Sequence, residues 1–151
     1  MIRAVPPREW PAVLAAAGVA LVVEVGLRVT TLPRLARLVG APLRLDSGGD
    51  LMPSSSERLG TGLTARLDPR LRRRLRSARR VLRHWPFGDT CLRRALVTGY
   101  VLRRRRPVLR VGVAKVDGRI QAHAWLEVDG VSLDPAGAAL YQALETIGGE
   151  R

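Results

Sequence analysis

Residues 121–134, "QAHAWLEVDGVSLD", decide how the C-terminal half of the chain folds. Apolar and polar side chains alternate up to Val128, which predicts a β-strand with one buried face. Asp129 and Gly130 form a dipeptide typical of a two-residue hairpin turn, so the next strand runs back towards Asp134. The polar face of the first strand then carries Gln121, His123, Trp125 and Glu127.

The simplest register of this hairpin brings a histidine and an aspartate together. With a two-residue turn, Trp125 faces Asp134, and His123 becomes the diagonal neighbour of Asp134. Diagonal neighbours lie about 7–8 Å apart between backbones, a gap that side chains of this length bridge. The carboxylate then orients the imidazole and leaves its second nitrogen to act as a base. Glu127 is the alternative orienting group, although it lies four residues along the strand from His123.

Two helices are predicted ahead of this hairpin. Residues 67–85 carry an apolar stripe of leucines together with Ala78 and Trp85, and Asp68 is placed to cap the helix. In the next segment, "TCLRRALVTGYVLRRRR", Thr90 is the expected N-cap, which puts Cys91 in the first turn. A thiolate is stabilised there by the helix dipole and by free N–H groups, which can also bind an oxyanion. Gly99 permits close packing of this helix.

The order of elements indicates an α+β fold. The helices come first, and the period then changes from helical to two in "VLRVGVAKV", residues 108–116. Asp117 and Gly118 predict a tight hairpin into the strand that contains His123. The result is an antiparallel meander, and a short helix is expected after Pro135.

The N-terminal part has a different pattern. Residues 10–40 predict one or two helices, with a break at Pro33. The string "LPRLARLVG", residues 32–40, predicts a short second helix that ends at Gly40. Residues 41–62, rich in Gly, Pro and Ser, predict a flexible loop. The chain therefore divides into N-terminal helices and a loop, residues 1–62, and a core, residues 63–151.

The first helix contains an apolar run of 13 residues, from Pro11 to Val23, before Glu24. That is shorter than the ~20 residues needed to span a bilayer, so a buried or amphipathic helix is predicted. Peripheral contact with a membrane surface is compatible with it. One row of residues recurs every three or four positions, which is the spacing of one face of a helix: Leu14, Ala17, Leu21, Val25 and Arg28.

Composition limits the available chemistry. The net charge of +13 predicts attraction to acidic partners, but a coding bias towards arginine explains part of it, and no nucleic-acid partner is expected. A single cysteine cannot form an internal disulfide, so the cytoplasm is the expected location. One cysteine and two histidines give no ligand pair at zinc spacing, and neither a metal nor another cofactor is expected.

Each candidate residue also has a simpler interpretation. A lone cysteine such as Cys91 is often a small buried apolar residue, and a strand histidine such as His123 is often structural. An aspartate before proline, as at Asp134, often only starts a turn. Trp125 either walls the site or belongs to the core. The order of the three polar residues and the parity of the hairpin together favour a Cys–His–Asp site.

Three strings in residues 67–145 resemble a known family: "DTCLRRALVTGYVLRRRRP", "LRVGVAKVDG" and "AHAWLEVDG…LDP". They are similar to the transglutaminase-like cysteine peptidases of lasso-peptide biosynthesis, the B2 type of leader peptidase. The resemblance implies a papain/transglutaminase-like core, in which a catalytic helix packs on a small antiparallel sheet. It assigns the nucleophile to Cys91, the base to His123 and the acid to Asp134, with Trp125 as a substrate-binding candidate.

The resemblance also implies a function. It is that of a cysteine endopeptidase that removes the leader from a ribosomally made lasso precursor peptide. The expected partners are the precursor, a separate leader-recognition protein and a lasso cyclase. Recognition is expected on a separate protein because the first 65 residues show no winged-helix strand pattern. The alternatives are transglutaminase-like acyl transfer, or a non-catalytic basic module that binds nucleic acid or membrane.

Overall fold

The structure, a computed structural model, describes residues 6, 9–45, 68–116 and 118–134. This part of the chain contains four α-helices and one mixed four-stranded sheet, which confirms the α+β class. The helices are α1 (Trp10–Val29), α2 (Leu32–Leu38), α3 (Pro69–Arg83) and α4 (Cys91–Leu102). The strands, in their order in the sheet, are β1 (Leu43–Leu45), β2 (Val108–Val116), β3 (Arg119–Val128) and β4 (Val131–Ser132).

Strands β2, β3 and β4 form the predicted meander. β2 and β3 pair antiparallel along their lengths, and the predicted turn residue Asp117 lies outside the described residues. At the second hairpin, Asp129 and Gly130 have φ values of 53° and 77°, the two positive values that a type I′ turn requires. Val131 then pairs with Val128, which is the register that the two-residue turn predicts.

The sheet differs from the expected antiparallel one at its edge. β1 lies in the segment predicted as a loop and pairs parallel with β2, with Leu43 opposite Leu109. A strand of three residues is too short to show an alternating pattern, so the sequence carries no signal for it. The rest of that predicted loop, the division after residue 62 and the short helix expected after Pro135 lie outside the described residues.

Both core helices begin at the predicted caps. Asp68 Oδ1 accepts a hydrogen bond from the backbone N–H of Arg70 at 2.9 Å, and Thr90 Oγ1 accepts one from Arg93 at 3.3 Å. These bonds satisfy N–H groups that have no partner inside the helix. The described part of the predicted α3 stripe faces the core, with Ala78 and Leu82 buried and Leu71, Leu75 and Trp85 half-buried.

The face of helix α1 that packs in the core is not the face that carries the predicted row of residues from Leu14 to Arg28. Ala16, Ala20 and Val23 pack in the core, and α1 contacts both α3 and α4. The predicted short second helix is present as α2. The break lies just before Pro33, because α1 ends at Val29 and Pro33 lies in the first turn of α2, where a missing N–H is tolerated. Three of the large side chains in the row are at least half exposed: Leu14 (65%), Leu21 (55%) and Val25 (50%).

Gly99 lets α4 approach the rest of the core closely, as the sequence predicts. A Cβ added at Gly99 would lie 2.8 Å from Ala41 Cβ and 3.6 Å from Leu126 Cδ2. Packed carbon atoms normally lie about 3.5–4.0 Å apart, so the first of these contacts leaves no room for a side chain. The glycine therefore sets the distance between α4 and the segment before β1.

Candidate active site

Cys91 is the first residue of α4 and is half-buried. The cap at Thr90 fixes where the helix begins, so the thiol lies at the positive end of the helix dipole. N–H groups in the first turn of a helix lack acceptors within the helix. This position suits both a thiolate and the oxyanion of a tetrahedral intermediate.

His123 and Asp134 are hydrogen-bonded to each other. The distance from His123 Nε2 to Asp134 Oδ2 is 3.0 Å. The hairpin continues past β4, because the N–H of Leu133 donates to the carbonyl oxygen of Leu126 at 2.9 Å. The N–H of Asp134 also donates to Ser132 Oγ at 3.1 Å, which holds the backbone beside the carboxylate. The structure thus contains the diagonal pair that hairpin parity predicts, and it identifies Nε2 as the bonded ring nitrogen.

Trp125 supports the imidazole ring of His123 by stacking on it. Its ring stacks on that of His123, with centroids 5.9 Å apart and planes inclined by 17°. The indole N–H donates to Glu127 Oε1 at 3.3 Å, and Arg110 Nε donates to Glu127 Oε2 at 3.0 Å. Glu127 therefore holds Trp125 and Arg110, whereas Asp134 is the carboxylate on His123. Trp125 is only 3% exposed, and its contact with substrate stays a prediction.

Arg94 lies near the start of α4, and the motifs in the sequence did not point to a role for it. Its guanidinium donates to both carboxylate oxygens of Asp89, at 3.3 and 2.8 Å. These hydrogen bonds raise the pKa of Arg94, although burial opposes them. The charges of Asp89, Asp134 and Cys91 raise the pKa further. Cys91 and Asp134 therefore both lie within electrostatic reach of one guanidinium. The sequence does carry a signal for this pair, because an aspartate and an arginine lie five residues apart on either side of the start of α4.

A buried ion pair ties α1 to the first turn of α4. Glu24 is buried, and its carboxylate accepts from Arg93 Nε at 2.8 Å and from Arg93 Nη2 at 3.3 Å. Arg28, one turn along α1, donates to the same carboxylate. The hydrogen bond from Arg93 lowers the pKa of Glu24, although burial opposes it. In the sequence Glu24 ends an apolar run, and an isolated acid at such a place is itself a signal for a buried partner.

Metal chemistry has no visible site in the part of the chain that the structure describes. There, no three His, Cys, Asp or Glu side chains come together as a ligand set.

A cysteine at a helix start and a histidine hydrogen-bonded to an aspartate are the groups that thiol enzymes use to form acyl-enzyme intermediates. The family comparison agrees with this class. The family model described as "Transglutaminase-like superfamily" matches residues 29–147, more than three quarters of the chain, and the protein therefore belongs to that superfamily. The superfamily includes cysteine peptidases and acyl transferases. Comparison with curated proteins and with solved structures found no significant match.

Proposed function

We propose that this protein is a cysteine endopeptidase that removes the leader from a lasso precursor peptide in the cytoplasm. The observation that carries the proposal is the hydrogen bond between His123 and Asp134 in a transglutaminase-like domain whose core helix begins at Cys91. The three strings that resemble lasso leader peptidases support the finer assignment. A separate leader-recognition protein presents the precursor, and a lasso cyclase uses the product.

The first half of the reaction forms a thioester. Cys91 Sγ attacks the scissile carbonyl carbon while the thiol proton passes to Nδ1 of His123. Asp134 accepts the Nε2–H of the imidazolium and keeps the ring in place. N–H groups at the start of α4 bind the oxyanion. The C–N bond then breaks as Nδ1–H protonates the leaving amine, which is the N-terminus of the core peptide.

The second half of the reaction regenerates the thiol. His123 removes a proton from water, and the resulting hydroxide attacks the thioester carbonyl. The C–S bond breaks, the leader leaves with a new carboxylate, and the proton returns to Cys91 Sγ. The freed amine of the core peptide is the group that the cyclase joins to an acidic side chain.

Acyl transfer is the alternative outcome of the same thioester, since the superfamily includes acyl transferases. In that reaction an amine replaces water, and the product gains the mass of the amine instead of that of water. Mass spectrometry of the product therefore separates the two functions.

The decisive experiment incubates the full chain with precursor and recognition protein and follows the precursor by mass spectrometry. Cys91→Ala and His123→Ala should abolish cleavage. His84→Ala is the matched control, because His84 is an exposed histidine at the end of α3 whose ring Nδ1 contacts only the carbonyl oxygen of Arg80 among the described residues. Cleavage by Cys91→Ala at the wild-type rate would refute the mechanism, and a wild type that leaves the precursor intact would favour the non-catalytic binding module.

Asp134→Asn tests the orienting role. The amide keeps the shape of the side chain but presents the wrong charge to the imidazolium, so kcat should fall on the order of 100-fold while KM changes little. Asp68→Asn changes a carboxylate at the start of α3 and should leave both constants near their wild-type values. A variant Asp134→Asn with unchanged kcat would remove Asp134 from the site.

A further inference from the structure

Helix α1 presents a continuous apolar surface to solvent. At 100° per residue, its exposed large side chains fall within a sector of about 120°. Gly18 lies in the same sector, and none of the residues that the structure describes comes within 4 Å of a Cβ built on it. Exposed apolar patches of this kind mark interaction surfaces in soluble domains. The apolar stripe consists of Trp10, Leu14, Leu21, Val22, Val25 and Val29, each at least half exposed.

The opposite face holds α1 against the domain. Ala16, Ala20 and Val23 are buried in the core, and Glu24 is paired with Arg93 of α4. α1 is long and apolar enough to cross a membrane by length and composition, with a mean hydropathy of 2.0, and 22% of that window is buried inside the protein. A crossing would take the buried Glu24 away from its arginine partner on α4. The attachment therefore favours a helix that lies along a surface.

Basic side chains border the stripe on both edges. On one edge the Arg28 side chain is 61% exposed, and its guanidinium lies 4.7 Å from the centroid of the Phe87 ring, itself 47% exposed. On the other edge, a groove between α1, α3 and the end of α4 is lined by Ala15 with Arg74 and Arg103. An apolar strip with arginines on either side is complementary to a surface of acyl chains and phosphate groups.

We propose that the apolar stripe docks this domain on the surface of an anionic membrane, with α1 in the plane of the headgroups. Size argues against a second copy as the occupant. A helix of 20 residues is about 30 Å long, so a stripe about 10 Å wide covers roughly 300 Å². A stable dimer buries about 800 Å² on each partner. A membrane needs only a shallow apolar face and neighbouring cations, both of which α1 and its borders supply.

The test uses the full chain and vesicles of phosphatidylcholine with or without phosphatidylglycerol, followed by flotation. The wild type should bind the anionic vesicles, bind neutral ones weakly, and lose affinity at high salt. Leu21→Gln/Val25→Gln should weaken binding about tenfold or more. Val113→Gln/Ile120→Gln is the matched control, since those residues are 53% and 79% exposed on the sheet, and it should bind like the wild type.

Several results would overturn the proposal. One is a wild type that does not float with anionic vesicles, and another is equal weakening by the stripe and sheet variants. A stripe variant that instead converts a dimer to a monomer in light scattering would make the stripe a self-association surface. If circular dichroism shows that Leu21→Gln/Val25→Gln is unfolded, Leu14→Gln/Val29→Gln is tested in its place. Cys91→Ala should bind vesicles like the wild type, so the test is independent of peptidase activity.

Discussion

Replacing Gly99 with alanine sets two effects of opposite sign against each other. In an open helix the change stabilises the protein by about 0.8–1.0 kcal/mol, because glycine is the poorer helix former. Here the new Cβ would lie 2.8 Å from Ala41 Cβ, about 1 Å closer than packed carbon atoms allow. Ala41 is fully buried, and its Cβ is fixed to the backbone and cannot rotate away. Overpacking of a core costs about 1–3 kcal/mol, so the net effect should be a destabilisation of up to about 2 kcal/mol.

Urea denaturation followed by circular dichroism measures this difference. Gly18→Ala is the matched control in α1, where no described residue lies within 4 Å of the new Cβ, and it should stabilise by about 0.5–1 kcal/mol. Ala41→Gly in the Gly99→Ala background removes the opposing methyl and should recover part of the loss. If Gly99→Ala stabilises the protein as much as Gly18→Ala does, the close approach of α4 to Ala41 is wrong.

Two further predictions concern the start of α4. Because Arg93 lowers the pKa of Glu24 below 4.5 in the folded state, the unfolded chain binds more protons between the two pKa values, and stability rises with pH there. This contribution is present above about pH 4.5 and is lost as the pH falls through the folded pKa, so the urea midpoint of Glu24→Gln should change less than that of the wild type between about pH 7 and pH 3. Equal changes in the two proteins would contradict the ion pair. Thr90→Ala removes the cap of α4 and should cost about 1 kcal/mol in urea denaturation. Thr31→Ala is its control, since Thr31 precedes α2 without a side-chain capping bond, and an equal cost in both variants would count against the cap.

Local patterns were sufficient for the elements that carry the candidate site. The alternation from Ile120 to Val128 and the Asp129-Gly130 turn are short-range signals, and they determine which side chains share a face. Hairpin parity therefore predicts the contact between His123 and Asp134 from the sequence alone. Thr90 likewise located the start of α4, because an N-cap acts within three residues of its own chain.

The sequence by itself determined the α+β order, the two hairpins and the caps, and it predicted the contact between His123 and Asp134. The tertiary structure decided which face of α1 is buried, since a helix that is apolar all round has no angular preference of its own. It also decided that β1 adds a parallel edge to the sheet and that Glu24 pairs with Arg93, 69 residues away along the chain. These contacts depend on the fit between distant surfaces, which a periodic pattern within one segment does not encode.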